Sequence, residues 1–333
     1  MSPRSVICQW RTVTSPPVRS TIVGRKEKVS TENNPDEKEL WDSIPRSEGV
    51  DRAEHFVTLS HMAYERGDFK SALALCESAR DIYESLQAIV STQALLHVYE
   101  GITWSLRKLD REVEAAELAL HAVDVLKEDN PVDATDMLRE AGRFFFTAGE
   151  FQKSLDCHLK AMQEVDPDLS EWTMGIDSYN VGFALMRLER YPEAIPYLIK
   201  SREHFKKGKE PEKVYYCDEY LAVCYIELKN GVEATVHAQK GLDFAITAQN
   251  TSLETWATYR LGCAKVLLAE LDEAENLLRD SLGMNSRTGS PDWELTIELE
   301  KEIANILTIK GRVTEADEIR RRIKTLEETV IGE

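Results

Sequence analysis

The sequence predicts an all-α protein, built as an elongated array of about seven antiparallel helix pairs. Three features predict it. Small residues recur at one interval in three parallel series. Apolar residues inside each segment follow a period of about 3.6. Glycine, asparagine and proline breaks fall between the segments. No stretch keeps a period of two for long, which argues against a sheet.

The first series is Ala72, Ala115, Ser154, Ala194, Ala234, Ala274 and Ala316, spaced by about 40 residues. A second lies about twelve residues earlier each time: Ser60, Thr103, Gly142, Gly182, Ala222, Gly262 and Ala304. A third lies about seven later: Ala79, Ala122, Ala161, Ser201, Gly241 and Ser281, broken at Ile323. Two helices approach closely only where the facing side chains are small, because interaxial distance follows the side chains at the contact. The twelve-residue offset places one small residue on the first helix of a pair and its partner on the second. The break at Ile323 is what a capping final repeat shows. The pairs are expected near 51–86, 88–128, 131–166, 170–208, 211–249, 252–285 and 291–329.

The turns follow from the same register. Gly67, Gly149, Gly231 and Gly311 read as helix stops, since glycine takes the left-handed cap conformation without a Cβ clash. Asn130-Pro131, Gly208–Pro211 and Ser290-Pro291 break the chain between pairs, with proline suited to a helix start. Tyr179, Phe183, Leu185, Met186 and Leu188 show the helical period, as do Ile195, Leu198 and Ile199. Pro196 is expected in about the first turn of its helix, where a missing N–H matters little.

Composition narrows the function. With 42% apolar and 30% charged residues the chain is foldable rather than disordered. A net charge of −18 repels phosphate backbones and anionic membranes, so neither nucleic acid nor a membrane is expected as a partner. No apolar run reaches the length of a membrane span, and the first residues lack a secretory apolar core. The six cysteines show no CxxC pair and no zinc-ligand spacing. Cys217 and Cys224 share a helix face and read as buried thiols. These features together place the protein in a reducing cytoplasm.

The pattern resembles the tetratricopeptide repeat family over roughly residues 51–329. Val181-Gly182, Leu185, Tyr191, Ala194, Leu198 and Ser201 carry the best single match. Phe69, Phe151 and Tyr191 hold the aromatic that begins the family's second helix. The period near 40, against the standard ~34, is more similar to the long-helix repeats of kinesin light chains and of bacterial Rap-like peptide-sensing regulators. The family tryptophan and closing proline are mostly missing. The resemblance implies a right-handed superhelical solenoid whose first helices line a concave wall. It also implies a scaffold that binds another protein or peptide and performs no chemistry. The alternative it implies is a peptide-responsive, Rap-like regulator that binds a signalling peptide and a partner protein.

By that register the inner face carries Tyr64, His61, Trp104, Arg107, Arg139, Arg143, Phe146, Tyr179, Phe183, Arg187, Tyr216, Glu219, Trp256 and Tyr259. Aromatics and arginine dominate interface hot spots, and a guanidinium grips a carboxylate through two parallel hydrogen bonds. The expected site is therefore a groove for a peptide or for a partner's acidic segment, centred on Arg139, Arg143, Tyr179 and Arg187. The plainer reading is that the aromatics are inter-helix core and the arginines pair with local acids. The chaperone-tail clamp of the family is not expected, because its positions hold Val57, His61, Glu100 and Trp104.

No catalytic residue, metal ligand or cofactor is expected. The sequence has no phosphate loop, dinucleotide turn, GxSxG elbow or HExxH, and its seven histidines are scattered. Arg320, Arg321, Arg322 and Lys324 read as cations that complement the dipole of the last helix. That helix, with Ile319, Ile323, Leu326 and Val330, serves either as a cap or as a dimer surface, so the oligomeric state stays open. Residues 1–28 read either as a disordered tail or as an untranslated segment ahead of a start at Val29. Residues 29–50 read as a short helix and linker, with Leu40, Trp41 and Ile44 docking on the first repeat.

Overall fold

A computed structural model describes residues 37–86, 90–164 and 169–331. The two readings of residues 1–28 lie outside the described residues. Every described element is helical, and no strand occurs among the described residues. Contacts divide the chain into two compact units, with Glu27–Arg190 in one and Tyr191–Glu333 in the other.

The first unit opens with α1 (Glu37–Ser43), which continues into a 3-10 turn at Ile44–Arg46 where a linker was expected. Leu40 and Ile44 pack with Leu59, Ala63, Ala72 and Leu75. Trp41, expected to dock with them, is 47% exposed. Helices α2 (Gly49–Glu65), α3 (Phe69–Ser85), α4 (Thr92–Lys108), α5 (Glu112–Leu126), α6 (Pro131–Thr147), α7 (Phe151–Ala161) and α8 (Glu171–Arg187) follow, each packed on its sequence neighbour. The second unit holds α9 (Tyr191–Lys207), α10 (Pro211–Glu227), α11 (Gly231–Thr247), α12 (Thr251–Leu267), α13 (Leu271–Ser286), α14 (Trp293–Ile309) and α15 (Val313–Ile331), stacked in the same sequential way. Most of these helices are 17 residues long, about 25 Å of rise.

The small-residue series lie where the helices touch. Ala115, Ala234, Ala274 and Ala316 are wholly buried, as are Ala79, Ala122, Ala161 and Ser281. A Cβ added at Gly142 on α6 would stand 2.7 Å from the His158 ring on α7. One added at Gly262 on α12 would stand 2.8 Å from Leu278 on α13. At two serines of the series a thiol on the facing helix donates to the hydroxyl: Cys76 Sγ to Ser60 Oγ at 3.1 Å, and Cys217 Sγ to Ser201 Oγ at 3.4 Å. Cys217 and Cys224 are fully buried, and burial pushes both thiols up to about 12.

The turns repeat as strictly as the contacts. Each second helix is preceded by one left-handed residue: Gly67, Asp110, Gly149, Glu189, Lys229, Ala269 and Gly311. The following N–H reaches back to a carbonyl five residues earlier, as in Asp68 to Ala63 and Glu270 to Lys265, which satisfies a helix-end carbonyl. Gly231 is not one of these stops. Lys229 takes the left-handed conformation, Asn230 caps the helix, and Gly231 is the first residue of α11. It is glycine because a Cβ there would stand 2.9 Å from Leu267 Cβ. Pro196 also sits deeper than its spacing implied. It lies inside α9, where it offers no N–H to the Pro192 carbonyl.

Two opposite departures from the usual glycine–alanine rule follow. Gly262→Ala, in mid-helix, should destabilise by about 1–2 kcal/mol, since overpacking against Leu278 outweighs the better helix propensity. Ala269→Gly should stabilise by about 0.5–1 kcal/mol, since glycine relieves a left-handed alanine. Thermal unfolding followed by circular dichroism checks both. A gain for Gly262→Ala would contradict the close approach of α12 and α13.

Candidate interaction faces

In the first unit the expected residues come together on α2, α4, α6 and α8, but they divide into two groups. Arg139 on α6 is already occupied. Its Nε donates to both Asp177 oxygens on α8 at 3.0 and 3.1 Å, and its Nη1 donates to Asp136 at 2.7 Å. Arg143 pairs with Glu140 at 2.5 Å. The carboxylate partners of both arginines belong to the chain itself.

Arg107 and Arg187 differ. Arg107 is exposed, and no carboxylate pairs with it among the described residues. It lies close enough to Tyr64 to offset part of the rise that burial gives that phenol. Arg187, at the end of α8, stacks on Phe151 at 4.3 Å and stands 5.9 Å from Phe146. It has no carboxylate partner among the described residues, and burial alone holds its pKa below the ordinary arginine value. Phe146 and Phe183 stack at 4.9 Å, and Tyr179 lies 5.9 Å from Phe183. Tyr179 and Phe183 are largely buried, whereas Tyr64, Trp104 and Phe146 are half-buried. His61 is exposed beside Glu65.

Carboxylates crowd the same face, and sequence reasoning did not bring them together. Glu100 on α4 faces Asp133, Asp136 and Glu140 of α6. Burial and then those neighbours push its carboxyl up to about 7. Behind this face, on α7, His158 is fully buried. Burial, with Arg143 and Arg139 nearby, holds it neutral with a pKa near 3, pressed against Gly142.

In the second unit Arg260 on α12 donates to Glu219 on α10 at 2.8 Å, both side chains buried. Its guanidinium also lies 5.3 Å from Trp256 and 4.9 Å from Tyr259. Tyr259 belongs to the core with α14, Trp256 packs at the edge of that core, and Tyr216 meets Tyr215 edge-on at 5.3 Å. Arg202, Asp218 and His237 tie α9, α10 and α11 together through bonds of 2.8 and 2.7 Å. The C-terminal cations are paired too: Arg320 with Asp317 and Arg322 with Glu300. They lie in mid-helix on α15, not in its last turn, so ion pairs rather than the helix dipole account for them.

Among the described residues no group of three or more metal-ligating side chains is arranged around a common point. No helix among them is long and apolar enough to cross a membrane.

No protein-family model matches the chain, and no curated protein matches it. Solved structures do. A signal transduction ATPase with a tetratricopeptide repeat sensor from Pyrococcus horikoshii matches with a TM-score of 0.64 at 16% identity, over 89% of this chain and 45% of that one. The apo form of RapI matches at 0.62 and 11% identity, over 83% and 77%. The apo quorum sensor NprR from B. thuringiensis matches at 0.54 and 15% identity, over 87% and 80%. The fold is tetratricopeptide-repeat-like. At these identities the likeness is one of fold.

Within the repeat frame, the crowding at Glu100 makes a pH-dependent prediction. Its folded pKa lies above the ordinary carboxylate value, so its contribution to stability is complete below about pH 4.5 and is lost as pH rises through about 7. Glu100→Gln should therefore match the parent near pH 4 and exceed it by about 2 kcal/mol above pH 8. Unfolding midpoints across that range check it. An equal difference at every pH would contradict the crowding.

Proposed function

We propose that the protein is a non-catalytic interaction scaffold and that the α2–α8 face of its first unit binds an acidic segment of a partner protein or peptide. One observation carries this reading. Arg107 lies near Tyr64 and Arg187 stacks on Phe151, and among the described residues neither pairs with a carboxylate, on a face where Arg139 and Arg143 are both paired. A guanidinium beside or stacked on an aromatic ring gains from a partner's carboxylate, and for half-buried Arg187 the gain is the larger. The acidic cluster around Glu100 rejects a carboxylate placed between α4 and α6, so the segment's acids are expected at Arg107 and Arg187 only.

A second reading is a peptide-responsive regulator. It is favoured by the likeness to RapI and to the quorum sensor NprR. In that case the bound segment is a short free peptide, and its entry shifts a pre-existing conformational balance.

Affinity capture from the native host, with the parent chain and an Arg107→Glu/Arg187→Glu variant as baits, tests the scaffold reading. The variant should lose the partner by on the order of tenfold or more while keeping its helicity. Equal recovery by both baits would exclude this face.

A further inference from the structure

Helix α7 carries a group that the interaction face does not use. His158 stands one turn after Ser154, at the position where the second helix of each pair meets the first. By the same register α3, α5, α9, α11 and α13 place Cys76, Ala119, Leu198, Ala238 and Leu278 there. The leucines and alanines are buried apolar groups, and Cys76 donates to Ser60. Of the six, His158 alone can become a cation. Leucine fills the same place on α13, against Gly262, so the contact itself does not call for an imidazole.

The surroundings offer a cation nothing. The ring is 1% exposed, and its Nε2 edge lies against Gly142 of α6, where a Cβ would stand at 2.7 Å. Nδ1 has no hydrogen-bond partner among the described residues. From α6 the ring is faced by Arg139 and Arg143, both of which repel an imidazolium. The carboxylates near them are engaged: Glu140 with Arg143, and Asp177 of α8 with Arg139. Arg187 of α8 lies over Phe151, at the start of α7. On α7 itself Asp156 and Lys160 are exposed.

The helix is also lightly held. It has 11 residues, against 15 to 19 in the other repeat helices. Ser154 Oγ, one turn before His158, and Ser178 Oγ on α8 are buried without a partner among the described residues. Such groups weaken the closed seam, because water satisfies them once it opens.

We propose that α7 is an acid-released helix: in mildly acidic solution His158 takes up a proton whenever α7 lifts from α6, and must lose it before α7 can close again. Closed, the ring stays neutral down to about pH 3. Open, it titrates at the ordinary histidine value of about 6.5. Closure is therefore at full strength above about pH 6.5 and weakens as pH falls from there towards 3. Glu100 acts with the opposite sign on global unfolding, but its neighbours lie on α6, and lifting α7 leaves that contact in place. A melting midpoint mixes the two groups, whereas opening of α7 alone reads His158.

Hydrogen–deuterium exchange of the full chain, with rates corrected for their intrinsic pH dependence, tests this at pH 7.5 and pH 5. Protection of the α7 amides should fall on the order of thirtyfold between the two, the ratio that linkage gives for a ring titrating at about 6.5 when open and about 3 when closed. Protection of α13, with Leu278 at the equivalent place, should stay constant. This contrast is read in the parent chain and needs no variant. In His158→Leu the fall at α7 should disappear. Equal behaviour of α7 and α13 in the parent, or a fall that persists in His158→Leu, overturns the proposal.

Discussion

The structure depends on close helix approach at a small residue, repeated once per period. Gly142 against His158 and Gly262 against Leu278 leave no room for a methyl group. Everything else in the repeat follows from keeping those contacts in step. A left-handed residue must end each first helix at the same distance from the contact, whatever its side chain. Glu189, Lys229 and Ala269 hold that conformation although glycine would suit it better. Packing between helices is worth more than the local strain, as expected for a solenoid stabilised mainly by nearest-neighbour interfaces.

This constraint also explains what was legible in the sequence. Small residues at helix contacts cannot be replaced, so their spacing shows directly. The repeat follows from that spacing, and the all-α fold from the 3.6-residue apolar period inside each segment. Turn conformations were legible only where the residue is glycine, as at Gly67, Gly149 and Gly311. At Gly231 the signal misled, because a glycine needed for packing resembles a glycine needed for a turn. Trp41 misled for a related reason: an apolar residue on a short helix need not face the core.

The interaction face was legible as a set of residue types, but not as a set of charge states. Register places Arg139, Arg143 and Arg187 on equivalent helices. The i,i+3 pair of Glu140 with Arg143 is within reach of helical spacing, but register does not reveal that Asp177, a full repeat away in sequence, takes up Arg139. Ion pairing across repeats depends on side-chain reach, which spacing does not encode. The same limit hid the carboxylates gathered around Glu100.

If nearest-neighbour contacts at fixed spacing hold the array together, one whole period should be removable. Deleting residues 231–270 takes out α11 and α12 and joins the Asn230 turn to the start of α13. Circular dichroism and thermal unfolding of that shortened chain test the claim most directly. The account predicts an unchanged helicity per residue and a cooperative transition, with a modest fall in midpoint. A loss of helicity, or a broad non-cooperative melt, would contradict it.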